Sequence, residues 1–420
     1  MTEQVRVLAI ADSDSYVKWG AALLSRAPTD WDTRLVVLAT PVLPSGEQLL
    51  AALATAHRGF GRPSILDLSA LAVRIEKMQP DVVLLSVRGP LVKVVVRAIV
   101  GATTVRPVIV TGLPGISVPA TRMAIAHRAQ ADLFVLHSRR EVREFADLAE
   151  QMKIKQVFAL ATLPFLPPAA GPSRPSGDVI FAAQAKVPFA RADRVALLGW
   201  LAESARQHPA RRVVVKVRAA SGEQQTHAEA HEYAELIAEL VPAAPANLVV
   251  EGGAMVAHLS GASGLVTVSS TAALEAVALG RPVLALDDFG IGRSLINTVF
   301  EGSGLFGDSA DLIAGRFRQP EKEWLDDNYF HGTASDDWVR RVDELLIARA
   351  QGTFVLKPLK RGLTGGKLRR AWDRKRALGS FDRSWAGMIA LAVGLPAMVV
   401  LRSVRRIRRV SRTAIAAGRA

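Results

Sequence analysis

The chain has no cysteine among its 420 residues. That excludes a disulfide scaffold, zinc held by thiolates and thiol catalysis, and it suits a reducing cytoplasm. A leader pattern is also missing: Met1-Thr-Glu-Gln-Val-Arg runs straight into an apolar segment, Val5–Ile10. No internal repeat is visible. Net charge is nearly absent from most of the chain as well. Residues 1–351 hold 36 Lys and Arg against 37 Asp and Glu, whereas residues 352–420 hold 17 cations and 2 anions. The formal charge of +14 therefore belongs to the tail. A neutral body with a basic end reads as an interaction tail for nucleic acid or for an anionic membrane, and a nucleic-acid tail would not need the uncharged run that lies within it. Half of the residues are apolar, so a packed core is expected.

What is present is an alternation of apolar strands and helices. In the first part, strands are predicted at Val5–Ile10, Arg34–Ala39, Asp81–Ser86, Pro107–Thr111, Asp132–Leu136 and Gln156–Leu160. Their nearly continuous Val/Ile/Leu character fits a parallel sheet covered on both faces. Residues 164–177 carry five prolines in fourteen positions, which is a linker. Further strands follow at Val179–Ala182, Arg212–Lys216, Asn247–Val250, Leu265–Val268 and Val283–Leu286, with an amphipathic helix at Ser335–Ala350. The expected organisation is a first α/β lobe over 1–163, the linker, a second α/β lobe over 178–351 and a basic tail over 352–420. Two such lobes leave a cleft between them. Within the tail, 384–401 has no charge across eighteen residues, and Arg402–Arg412 is again strongly basic.

The segment Thr267–Leu286, TVSSTAALEAVALGRPVLAL, carries the most chemistry. A strand enters Ser269-Ser270-Thr271, a short apolar helix follows, and Gly280-Arg281-Pro282 leads into the next strand. Backbone N–H groups and a helix dipole converge at such a turn, and small hydroxyl residues leave room for an anion. The same residues also serve an ordinary capped helix. Ser-Ser-Thr, then Glu275-Ala276, then Gly280-x-Pro282 resembles the donor-binding half of GT-B glycosyltransferases. The likeness is to bacterial capsule and surface-polysaccharide transferases and to uncharacterised actinobacterial glycosyltransferase-like proteins. It implies two Rossmann-like lobes, to which the charge and hydropathy of 352–420 add a C-terminal basic, hydrophobic helical tail. It also implies a nucleotide-sugar co-substrate with its diphosphate at Ser269, Ser270 and Thr271 and its ribose at Glu275.

Other strand ends supply further candidates. Lys216 and Arg218 follow the strand RRVVVK and would neutralise a departing diphosphate; the family's Lys/His-Pro element is missing there, since His208-Pro209 precedes the strand. A solvated strand end is the plain alternative. His227 follows in the same loop. Glu251-Gly252-Gly253 ends another strand, where glycines admit close backbone approach to a ligand. In the first lobe, Asp12 and Asp14 follow the first strand. Asp14 is the preferred general base toward an acceptor, although either aspartate would equally cap a helix. Gly112 and Gly115 mark a loop that would line the acceptor site or simply turn. His127 reads as structural.

No Asp-x-Asp stands at the donor strand, and Asp287-Asp288 reads as easily as a turn, so neither a metal nor a tightly bound cofactor is expected. The expected function is glycosyl transfer from a nucleotide-sugar to a cell-envelope or surface-polysaccharide acceptor, including a lipid-linked glycan. The expected place is the cytoplasmic face of the membrane, with residues 356–420 on anionic lipid as a peripheral or monotopic anchor, a single span and a buried core helix being the other readings of 384–401. The alternatives are a nucleotide-sugar 2-epimerase of the same fold and a non-catalytic, membrane-bound nucleotide-binding protein.

Overall fold

The computed structural model describes residues 4–54, 56, 58–167, 177–217, 231–240, 242–355 and 366–396. Its first sheet contains β1 (Arg6–Ala11), β2 (Asp32–Leu38), β3 (Ser64–Leu66), β4 (Val82–Ser86), β5 (Val108–Gly112), β6 (Leu133–Leu136) and β7 (Val157–Leu160). The helices between them are α1 (Asp14–Leu24), α2 (Gly46–Leu53), α3 (Leu68–Met78), α4 (Gly89–Ala102), α5 (Arg122–Arg128) and α6 (Arg139–Gln151). The spatial order is β3-β2-β1-β4-β5-β6-β7, with every pair parallel.

Successive strand residues feed opposite cores. Val7, Ala9 and Ala11 pack with Trp19 and Leu23 on one face, while Leu8 and Ile10 pack with Leu91, Val95 and Ile99 on the other. This two-sided burial is the physical reason for the near-continuous apolar strands.

The second sheet repeats the plan with β8 (Val179–Ala182), β9 (Val213–Lys216), β10 (Leu248–Glu251), β11 (Gly264–Thr267), β12 (Val283–Leu286) and β13 (Phe306–Gly307). Its order is β10-β9-β8-β11-β12-β13, again parallel. The helices that matter here are α7 (Arg191–Gln207), α8 (Tyr233–Ala238), α9 (Met255–Ser260), α10 (Ala272–Ala278), α11 (Ser309–Ile313) and α12 (Lys322–Asp327). Both sheets reverse their direction of growth once, between β1 and β4 and between β8 and β11. Crevices at the carboxyl ends of those strand pairs are where open parallel sheets bind ligands.

The chain then crosses back. Asp336 accepts from the Thr162 N–H at 2.6 Å and Asp337 from the Leu160 N–H at 2.8 Å. Helix α13 (Trp338–Ala350) follows them and packs on the first sheet, with Trp338 edge-on to Trp31 and Arg349 on Asp81 at 2.6 Å. The amphipathic face read over Ser335–Ala350 thus buries itself against the lobe that opens the chain.

The described part of the tail continues on that lobe. Helix Lys367–Leu378 lies along α4, with Leu378 in the α4 core and Asp373 3.8 Å from Arg97. Residues 385–396 are helical. Among the described residues, no helix is long and apolar enough to cross a membrane. The rest of the uncharged 384–401 run, the basic 402–412 run and the central linker residues 168–176 lie outside the described residues.

Candidate functional site

The second lobe's switch point is built by two loops. Loop 183–190 follows β8, and the bend 268–271 follows β11. Gln184 joins them: its side-chain oxygen accepts from the Ser269 N–H at 3.1 Å and from the Ser269 hydroxyl at 3.0 Å. Behind loop 183–190 lies Arg194, fully buried in the first turn of α7. Its guanidinium donates to the carbonyls of Gln184 (3.0 Å), Ala185 (2.7 Å), Pro188 (2.9 Å) and His231 (2.7 Å), and it sits 4.9 Å from the Tyr233 ring centre. A buried cation is tolerable only with several acceptors. Here it rigidifies the loop and adds positive potential to that edge. Neither Gln184 nor Arg194 stood out in the sequence. The available signal was a charge occupying a core position of the apolar stripe Arg194, Leu197, Leu198, Leu201.

The bend hydroxyls are only partly available to a ligand. Ser269 is held by Gln184, the Ser270 oxygen accepts from the Ala272 N–H at 3.2 Å, and Thr267 accepts from the Ser270 N–H at 2.9 Å. Thr271 adopts helical dihedrals and its side chain does not cap α10. The expected cap at the start of α10 is therefore made by Ser270, two residues before the N–H it satisfies.

The bend faces the other lobe. A methyl group on Gly115 would stand 3.4 Å from the Thr271 methyl. Glu275, nearly buried, meets the Lys18 ammonium of α1 at 3.6 Å, and that ammonium also lies 4.4 Å from the Phe165 ring centre. Asp14 stands one helical turn before Lys18 and shares its face of α1. It is half-buried, and the Ser15 hydroxyl donates to it at 3.4 Å. Thus the structure brings Thr271, Glu275, Gly115, Lys18 and the Asp14 face to one gap.

Several other candidates have internal work. Asp12 is fully buried and binds Arg88 through Nε at 2.6 Å and N–H at 3.1 Å, which ties the loop after β4 to β1. Burial pushes its carboxyl above the usual range while Arg88 and Arg128 pull against that. Gly112 is required for packing: a Cβ there would lie 2.2 Å from Trp19. Lys216 is 5% exposed and its ammonium donates to the Val217 carbonyl at 2.5 Å. It adds charge to the edge from within. Glu251 turns back along the sheet to Arg212 and lies 3.6 Å from His258, while Gly252 and Gly253 are exposed and Gly253 has φ +92°. Asp288 accepts from the Ser309 N–H and hydroxyl ahead of α11, so it closes a turn. His127 packs against Gly89. Arg218 and His227 lie outside the described residues. Among the described residues, no three His, Asp or Glu side chains converge as a metal-binding group.

A second interlobe cluster has no counterpart in the sequence reading. Glu141, fully buried, accepts from the Tyr329 hydroxyl and the Ser117 N–H, each at 2.7 Å, and from the His137 N–H at 2.8 Å. Burial raises its carboxyl to about 7 despite these donors. His137 receives the Trp19 indole N–H at Nε2 (2.6 Å), so Nδ1 carries the proton and donates to the Ala161 carbonyl at 2.8 Å. Burial lowers its pKa to about 4, so the ring is neutral. Cavities of about 690 and 420 Å³ lie on the α6 side of this crossing, lined by Arg140, Glu144 and Glu301 among others. The 269–271 bend lines neither.

The family described as "Putative glycosyltransferase (DUF6716)" matches residues 7–345. The chain belongs to this family. The match spans both sheets, the crossing segment and most of α13. No curated protein sequence matches the chain. Solved structures do, at low identity. The UDP-GlcNAc 2-epimerase of Methanocaldococcus jannaschii superposes with TM-score 0.53 at 10% identity, covering 81% of this chain and 99% of its own. The Neisseria meningitidis UDP-GlcNAc 2-epimerase, bound to UDP-GlcNAc, gives 0.50 at 11%, covering 83% and 100%. A UDP-glucosyltransferase from Polygonum tinctorium gives 0.51 at 12%, also covering 83% and 100%. These likenesses establish the two-lobed GT-B architecture for this glycosyltransferase-family chain. The Ser269, Ser270 and Ala272 N–H groups are taken within the switch point, which presents the Thr271 side chain, a buried cation behind the adjoining loop and, at the gap, a carboxylate–ammonium pair. That set suits a polyanion with an attached diol.

Proposed function

We propose that the chain transfers a sugar from a nucleoside diphosphate sugar, held by the second lobe, to an acceptor hydroxyl presented by the first. The observation that carries this reading is the Lys18–Glu275 contact beside Thr271, in a chain of a glycosyltransferase family. The donor diphosphate lies at Ser269, Ser270 and Thr271, with Arg194 behind the adjoining loop and Lys216 adding buried charge. Glu275 accepts from the ribose diol. The exposed backbone at Gly252 and Gly253 borders the base, with Glu251 beside it. Binding exchanges Lys18 from Glu275 to the diphosphate, where its charge stabilises the departing nucleotide. Asp14 takes the acceptor proton if the configuration inverts. Arg218, two residues after Lys216 in the sequence, is assigned with it.

The acceptor is assigned to the cell envelope or a surface polysaccharide, and the place of reaction to the inner membrane face. The support is the charge pattern of 356–420, an uncharged run set between cationic ones.

The test measures the fate of the donor. Acceptor-dependent release of the nucleoside diphosphate supports transfer. Interconversion of the donor sugar without any acceptor would instead make the chain a 2-epimerase. Glu275→Ala should weaken donor binding about tenfold or more, as expected for a hydrogen bond to a charged group. Unchanged donor affinity removes the ribose assignment.

A further inference from the structure

The helix at 385–396 is inside out. Its inward positions are small: Gly387 and Ala390 are buried, and a Cβ on Gly394 would fall 2.3 Å from the Trp372 ring. Its outward positions are large and apolar. Trp385 is 85% exposed, Ile389 56%, Val393 53% and Met388 52%. Positions 385, 388, 389 and 393 share one face at helical spacing, and the helix carries no charge. A contiguous exposed apolar face of this kind is a contact surface.

The face is held in place rigidly. Asp382, buried between the two tail helices, accepts from Arg374 Nε at 3.1 Å and the Ser384 N–H at 3.1 Å, and Lys375 donates to the Asp382 carbonyl at 2.7 Å. The preceding helix docks on α4, and Gly379 at its end packs against Pro41, where a Cβ would stand 2.8 Å away. Pro41 follows Thr40, whose hydroxyl donates to the Asp12 carbonyl at 3.3 Å. The apolar helix is therefore fixed near the carboxyl edge of the first sheet. Lys367, Arg369, Arg370, Arg376 and Arg383 are exposed on the same unit.

We infer that this helix lies in the headgroup boundary of an anionic bilayer, with Trp385, Met388, Ile389 and Val393 facing the acyl chains and the neighbouring cations on the lipid phosphates. The inference rests on the membrane placement proposed above and specifies its surface. The inward face of the helix packs on Trp372, so only the outward face can meet lipid, and the helix lies along one leaflet. A second copy of the chain is a poorer occupant. A symmetric contact through the same face would bring both sets of cations together. A nucleic acid would match the cations and leave the apolar face unserved. Docking fixes which part of the molecule meets lipid: the carboxyl edge of the first lobe, where the acceptor is assigned.

The test uses the full chain and sedimentation with vesicles of phosphatidylcholine alone or mixed with phosphatidylglycerol. The parent should partition onto the mixed vesicles. The variant Trp385→Ser/Met388→Ser/Ile389→Ser, altered only at exposed positions, should keep its melting temperature and lose about tenfold or more of that partitioning. A parent that ignores both vesicles overturns the membrane placement and this surface together. A variant that binds as well as the parent overturns this surface alone. Equal binding to phosphatidylcholine alone overturns the anionic component. A parent that is dimeric without lipid, and monomeric once these residues are changed, assigns the face to a second copy.

Discussion

Tyr329 comes from the second half of the chain and ends on Glu141 of the first lobe, so one hydroxyl joins the two bodies through a buried carboxylate. Tyr329→Phe removes that donor and leaves Glu141 with the Ser117 and His137 N–H groups. The expected cost is about 2 kcal/mol, the range for a hydrogen bond to a charged partner. It would be read as a lower denaturant midpoint at unchanged slope, and no shift in midpoint would contradict the assignment. His137 makes the complementary prediction. Its pKa falls from 6.5 to about 4 on burial, so between those values the unfolded chain binds a proton that the folded chain refuses. Its contribution is complete above pH 6.5 and is lost as pH falls, up to about 3 kcal/mol. Glu141, raised from 4.5 to about 7, has the opposite sign: its contribution is complete below 4.5 and is lost as pH rises through 7. NMR should find the His137 imidazole neutral at pH 5; protonation near 6.5 would refute the buried tautomer.

The elements show how far sequence alone reaches. Val179–Ala182 and Val283–Leu286 are strands at the residues their apolar runs mark, and the other long strands differ by one or two positions. The edge strands β3 and β13 escaped because Ser64–Leu66 and Phe306–Gly307 are too short for any alternation to show. Helix α2 escaped although Ser45 and Gln48 form a capping box readable as Ser-x-x-Gln. The bend at 269–271 was visible as strand, hydroxyls and helix, but Gln184 on Ser269 joins residues 85 positions apart. Lys18 and Glu275 belong to different lobes, and no local pattern pairs them. At Gly112 the sequence leaves an acceptor-lining loop or a plain turn open, and what neither shows is that the space of its missing Cβ belongs to the Trp19 ring. Gly112→Ala should therefore destabilise by about 2 kcal/mol through overpacking, visible in a melting scan. A variant as stable as the parent would mean Trp19 can move aside.

At the scale of the whole molecule, the lobes are joined by several long-range contacts. Arg143 grips Asp327 through two hydrogen bonds of 2.6 and 2.7 Å, α13 returns to the first sheet, and Lys18 meets Glu275 at the gap. The body is close to neutral and the tail carries the charge. The proposed polyanionic donor would therefore meet local groups at the switch point and not a general field of the body.

The measurement that tests this account most directly is the melting temperature of the purified chain across a panel of nucleoside diphosphate sugars. A ligand that binds only the native state must stabilise it. The account predicts that at least one member raises the midpoint by about 2 °C or more at saturation, and that Glu275→Ala abolishes the rise. No shift with any sugar nucleotide, or a shift that survives loss of Glu275, would contradict the placement of the donor at the 269–275 bend.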